Sequence, residues 1–170
     1  VIMNRDHRNK GNTMSRVVAL AFFSMILFFV ENRIEAGSLP LDTIKLPPGF
    51  AITVYADNVP NARGMTLGQN GTLFVGSMGK GDVYAVIDQD GDQHADKVFT
   101  IASGLNMPVG VAYRNGSLFV SAVDRILRFD KLEQRLTNPP TPVTIKQGFP
   151  NETHHGWKFI AFGPDGKLYV

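Results

Sequence analysis

The chain has 170 residues, 44% hydrophobic and 19% charged, the profile of a globular domain rather than a disordered chain. It has no cysteine, which excludes a disulfide framework, a thiolate zinc site, a cysteine nucleophile and a lipoprotein-type acylated anchor. The formal charge of +2 resides in residues 1–37, which hold five of the 17 Lys/Arg and three of the 15 acids; the remainder is neutral and has no electrostatic footprint for nucleic acid.

Residues 1–37 read as a leader. Val17 to Val30 is a run of fourteen uncharged residues, preceded by basic residues and followed by Ile34-Glu35-Ala36-Gly37, the layout of a secretory signal. As a helix it would rise only ~21 Å, short of a ~30 Å hydrocarbon core. The expected location is therefore periplasmic or secreted, with membrane anchorage if the leader is not cleaved. Met14 offers an alternative start. At the other end the sequence stops at Lys167-Leu168-Tyr169-Val170, inside a strand, and reads as a piece of a longer protein.

Between these ends runs a repeat. Segments 63–75, 109–120 and 158–170 each read as an alternating strand, an Asn-Gly or Asp-Gly turn, and Leu-aromatic-Val. These dipeptides supply the positive φ that tight hairpins need. Leu73, Leu118 and Leu168 lie 45 and 50 residues apart, near the period of one four-stranded propeller blade. Further strands are predicted at Asp82–Ile87, Lys97–Ala102, Arg125–Asp130 and Pro142–Lys146. The pattern predicts an all-β fold, a β-propeller in preference to a sandwich, with residues 38–170 forming its N-terminal two and a half blades or so.

Two loops carry candidate chemistry. Asp88-Gln89-Asp90-Gly91-Asp92-Gln93-His94-Ala95-Asp96 places Asp88, Asp90, Asp92 and Asp96 where their carboxylates can converge on a calcium ion. It departs from an EF-hand in the position of Gly91 and in having Phe99 where the bidentate Glu belongs, and a solvated acidic turn is equally compatible. The second loop, Phe149-Pro150-Asn151-Glu152-Thr153-His154-His155-Gly156-Trp157-Lys158, enters the third repeat with two of the four histidines and the only Trp. A histidine here suits a general base. A His pair bonded to turn backbone, with Trp157 as core filler, is the structural alternative. Three sequons, at Asn70, Asn115 and Asn151, fall in predicted turns, and the first two are explained by turn chemistry.

His155, the apolar alternation after it and Gly163-Pro164-Asp165-Gly166-Lys167-Leu168-Tyr169 together resemble the soluble quinoprotein glucose/sorbosone dehydrogenase family. Leu46-Pro47-Pro48-Gly49-Phe50 and the hairpins at 63–75 and 109–120 look like its sorbosone-type branch. The resemblance implies a six-bladed propeller that binds pyrroloquinoline quinone and calcium and oxidises a sugar, a sorbosone-like aldehyde or an alcohol. It makes His155 the catalytic base. His154 stands where the glucose-oxidising branch has a cofactor-contacting acid, and the position of a cofactor-facing Gln falls near Leu105 or Asn106, of which Asn106 is the cofactor-binding candidate. Strand alternation is expected to turn His154 away from the face that His155 presents. Two other classes share the architecture: a non-enzymatic propeller binding a protein or glycan, and a lactone hydrolase using carboxylate-bound calcium.

Overall fold

The computed structural model describes residues 39–170; the leader expected over residues 1–37, with its signal segment, lies outside the described residues. Among the described residues no helix is long and apolar enough to cross a membrane. The chain divides into one unit ending at Phe50 and a second spanning Ala51–Val170. In the first, Leu41–Thr43 form a 3₁₀ turn. The Pro-Pro-Gly-Phe phrase closes a reverse turn, with the Phe50 N–H donating to the Pro47 carbonyl at 3.2 Å. Gly49, at φ 87°, takes the left-handed position that a type II turn requires.

The second unit is all-β and antiparallel. Strands β1 (Ala62–Leu67), β2 (Leu73–Ser77), β3 (Val83–Ile87) and β4 (Lys97–Ala102) form one four-stranded meander. Strands β5 (Gly110–Arg114), β6 (Ser117–Ser121), β7 (Arg125–Phe129) and β8 (Val143–Gln147) form a second. A short hairpin, β9 (Ala161–Phe162) with β10 (Leu168–Tyr169), opens a third layer. Strand order follows chain order throughout, as expected of repeated propeller blades.

The strand ends follow local chemistry. Asp82 was expected to begin β3, but the Ser77 hydroxyl donates to its carbonyl at 2.7 Å and accepts from its N–H at 2.9 Å, so the ladder starts at Val83. Strand β7 stops before Asp130, whose carboxylate accepts from the Ser117 hydroxyl at 2.9 Å. Pro142 has no N–H to give and stays outside β8. The third repeat forms only two cross-strand pairs, Phe162 with Leu168 and Ala161 with Tyr169. Its earlier residues are engaged elsewhere: the Lys158 carbonyl accepts from the Ser121 hydroxyl at 2.7 Å instead of joining a ladder.

The sheets stack through alternation, since successive side chains point to opposite faces. Phe74, Val83 and Ala85 of the first sheet meet Val111, Leu118, Val120 and Phe129 of the second in the main core. The far face of the first sheet, with Val75, Tyr84 and Val86, is covered by Tyr55, Ala56 and Val59. The far face of the second, with Ala112 and Ile126, receives Ile160, Phe162 and Leu168. Strand β1 packs on β5, and β5 on β9. Glycine permits this close approach: a Cβ at Gly76 would lie 2.7 Å from the Val109 carbonyl oxygen and closer still to that of Pro108.

Candidate functional site

In an antiparallel meander, alternate connections lie at opposite ends of the sheet. The start of β1 and the β2–β3, β4–β5 and β8–β9 connections share one end. The β1–β2, β3–β4, β5–β6 and β7–β8 connections share the other. The histidine loop and Asn106 therefore belong to the first end, and the acidic loop to the second.

At the first end a cleft of about 310 Å³ is lined by Pro150, Glu152, His154, His155, Trp157 and Lys158. Both histidines are exposed and lie in a turn, not a strand. His155 adopts φ 58°, in the left-handed region. Its ring meets that of His154 edge to face at 4.3 Å and lies 5.3 Å from that of Trp157. The expectation that alternation separates the two imidazoles is thus corrected: alternation needs extended backbone, and the turn brings both rings to one cleft. Gly156 accommodates the turn by close packing, since a Cβ there would strike the Glu152 carbonyl.

Three neighbours set the loop in place. Lys158 directs its ammonium inward, donating to the Gly156 carbonyl at 2.9 Å and to the Val123 carbonyl, with the Phe149 ring 5.0 Å away. Two of its three donors are thus spent on backbone carbonyls, one in the loop itself and one between β6 and β7. Asn106 donates from Nδ2 to Asn151 Oδ1 at 3.3 Å, and its carbonyl accepts from the Val123 N–H at 3.0 Å. It ties the β4–β5 connection to the histidine loop and does not line the cleft. Trp157 is half-buried, with one side toward His155 and the Arg63 guanidinium 5.9 Å from its ring centroid.

Arg63 was not singled out in the sequence, although it occupies the repeat position of Lys158. It is exposed and has no carboxylate partner among the described residues. With Asn61, Met78 and Met107 it lines an adjoining cleft of about 460 Å³. Met107, at φ 49°, is another non-glycine in the left-handed region. An imidazole, an indole and a guanidinium without a carboxylate partner among the described residues thus share one end of the sheets.

At the other end, Asp88, Asp90 and Asp96 bring one carboxylate oxygen each within 4.8 Å of one another. Asp92 does not join them. Its Oδ1 accepts from the His94 N–H at 2.8 Å and lies 3.6 Å from the His94 ring nitrogen. The trio also serves the turn: Asp88 accepts from the N–H groups of Gly91 at 2.7 Å and Gln93 at 3.0 Å, and Asp96 from that of Gln89 at 2.6 Å. Tyr55 lies beside it, its phenol pushed above the ordinary value by burial and by the charges of Asp88 and Asp96.

No family model matches the chain. An uncharacterized protein of Borreliella burgdorferi is 31% identical over 145 residues, covering 84% of this chain and 34% of that protein. The chain therefore spans about a third of the length of the curated relative it matches. Among solved structures, the holo PQQ domain of pyranose dehydrogenase from Coprinopsis cinerea matches with a TM-score of 0.54 and 16% identity, over 64% of this chain and 26% of that one. The PQQ-bound aldose sugar dehydrogenase of Streptomyces coelicolor matches with 0.54 and 20%, over 69% and 39%. A Trichoderma reesei enzyme of carbohydrate-active family AA12 matches with 0.51 and 22%, over 62% and 27%. At these identities the likeness is one of fold.

Proposed function

We propose that this chain is part of a quinoprotein dehydrogenase that oxidises a sugar, a sorbosone-like aldehyde or an alcohol. In this reading it supplies consecutive blades of a six-bladed propeller exported from the cytoplasm. The observation that carries the reading is the exposed, conformationally strained His155 in a cleft with Trp157, whose ring lies 5.9 Å from the Arg63 guanidinium of the adjoining cleft, on a fold shared with PQQ-binding sugar dehydrogenase domains.

The residues present fit one wall of such a site. A flat aromatic tricarboxylate can rest against Trp157, and the guanidinium of Arg63, free of any carboxylate among the described residues, suits one of its carboxylates. Lys158 contributes less, because two of its three donors are already bound to backbone carbonyls. When bound, the quinone supplies the acceptor for the substrate's hydride. His155 takes the hydroxyl proton at a ring nitrogen as the carbon–oxygen double bond forms. His154 packs against that ring and limits its rotation, and Asn106 holds the loop through Asn151. The Asp88, Asp90 and Asp96 trio would take calcium as a structural ion, since it sits at the opposite end of its sheet from His155.

The test is reconstitution of the full-length protein with pyrroloquinoline quinone and calcium, followed by aldose-dependent reduction of an artificial electron acceptor. Quinone-dependent turnover supports the reading. A full-length protein that never binds the quinone sinks it and favours a binding propeller. Calcium-dependent lactone hydrolysis without the quinone would favour the hydrolase class.

A further inference from the structure

The end of the sheets away from His155 carries a third cleft, which the proposed reaction does not use. It has a volume of about 340 Å³, within the range of small-molecule sites. Three connections build it: Gln69 and Asn70 come from β1–β2, Asn115 from β5–β6, and Glu133 from the segment after β7.

Glu133 organises the cleft. Its carboxylate accepts from the N–H of Gln69 at 3.2 Å, the N–H of Asn70 at 2.9 Å and the Tyr113 hydroxyl at 2.5 Å. A carboxylate offers about four acceptor positions, so about one remains for a ligand. The side-chain carboxamides of Gln69, Asn70, Asn115 and Gln134, all at the cleft, have no hydrogen-bond partner among the described residues. Lys131, also at the cleft, forms no ion pair among the described residues. Its backbone stands at φ 52°, a left-handed conformation rare for a residue that is neither Gly nor Asn. The turn holds this conformation through its backbone: the Lys131 carbonyl accepts from the Gln134 N–H at 3.3 Å, and the Leu132 N–H donates to the Gly116 carbonyl at 3.2 Å.

We propose that this cleft binds a neutral polyhydroxylated ligand, a mono- or oligosaccharide. Each carboxamide presents a donor and an acceptor in one plane, and a sugar hydroxyl is itself both. The single ammonium and single carboxylate offset each other, so the cleft selects for hydrogen-bonding capacity and not for charge. This proposal does not rest on the dehydrogenase reading, because this cleft and that of His155 share no residue.

The test is a titration of the isotope-labelled full chain with glucose, maltotriose, cellotriose and chitotriose, observed through side-chain amide resonances. At least one saccharide is expected to shift the NH₂ signals of Gln69, Asn70, Asn115 and Gln134 in a saturable, millimolar manner. The indole N–H of Trp157, the only Trp, reports the other end, so these shifts are expected whether or not it moves. Gln69→Leu and Gln134→Leu, at exposed side chains without structural bonds, should each keep the backbone spectrum and weaken binding about tenfold, the loss of one or two hydrogen bonds. His155→Ala should leave binding unchanged. The proposal is overturned if none of the four saccharides moves these signals, if both Leu variants bind as the parent does, or if only Trp157 responds. It is also overturned if glucuronate or glucosamine binds more than about tenfold tighter than glucose, because charge would then be what the cleft reads.

Discussion

His155 holds its imidazole on a left-handed backbone, φ 58°, which costs a side-chain-bearing residue about 1–2 kcal/mol. This separates catalysis from stability in a single position. His155→Ala and His155→Gly should both lower quinone-dependent turnover by about 10²–10⁴-fold, the range for a lost general base. Only the Gly variant relieves the strain, so it should unfold about 1 kcal/mol later than the Ala variant in denaturant. Equal turnover in the parent and both variants would remove His155 from the chemistry. Equal stability of the two variants would mean that the loop relaxes once the ring is gone. Lys158 is the opposite case, a charge near the cleft whose work is structural. Lys158→Met leaves the Val123 and Gly156 carbonyls without their donor, and should cost about 1–3 kcal/mol in thermal or chemical denaturation. If Lys158→Met instead keeps full stability and loses quinone affinity, the inward geometry of the ammonium is not the one that matters in solution.

The elements were legible wherever the chain's own local chemistry decides them. Asn115-Gly116, at φ 51° and 80°, is the tight turn its sequence demands, and residues 114 and 117 pair across it. The repeat of Leu-aromatic-Val located β2 and β6 because each places an aliphatic–aromatic–aliphatic run on a strand with two packed faces. What escaped the sequence lies between elements. Glu133 reaches across the sheets to the Gln69–Asn70 turn, and no local pattern announces a contact spanning more than sixty residues. Arg63 escaped because a lone Arg at a strand start reads as solvated. Asp92 was grouped with its neighbours by spacing alone, whereas its carboxylate closes a local turn on His94. The Glu133 contact gives a prediction at this scale. Glu133→Gln replaces one acceptor oxygen by a donor and should destabilise by about 1–3 kcal/mol. Tyr113→Phe removes one of the same bonds, so the double variant should fall short of the sum by about 0.5 kcal/mol or more. Strict additivity in a double-mutant cycle would mean that the strap does not hold the sheets together.

At the scale of the whole molecule, the sheets hold phenols in places where they resist ionisation. Tyr113 stacks on Phe74 at 5.6 Å and donates to Glu133, and burial first, then that carboxylate, pushes its pKa up to about 12. Tyr84, on the far face of the first sheet, is raised by burial and by Asp82, and Tyr55, which covers that face, by burial and by the acidic loop. A raised phenol pKa means that the folded state holds protons that the unfolded state releases near pH ~10. Stability from these groups is therefore complete below about pH 10 and lost as pH rises through the folded value. On the acid side Asp130 is held low by the hydrogen bond from Arg128, and Asp165 by the Lys167 backbone N–H. Those contributions persist above the ordinary carboxylate range and vanish as pH falls through the lowered values. Asp165 lies on an exposed turn and Asp130 on a half-buried one at the end of β7, whereas Tyr113 packs against the core where one sheet meets the next. The alkaline limb should thus be the one that opens the stack. The denaturation midpoint is expected to fall between pH ~10 and ~12 in the parent, and to fall less steeply in Tyr113→Phe, which has no phenol proton to lose. A midpoint that declines identically in the parent and in Tyr113→Phe would show that the phenol does not couple to the contact between the sheets.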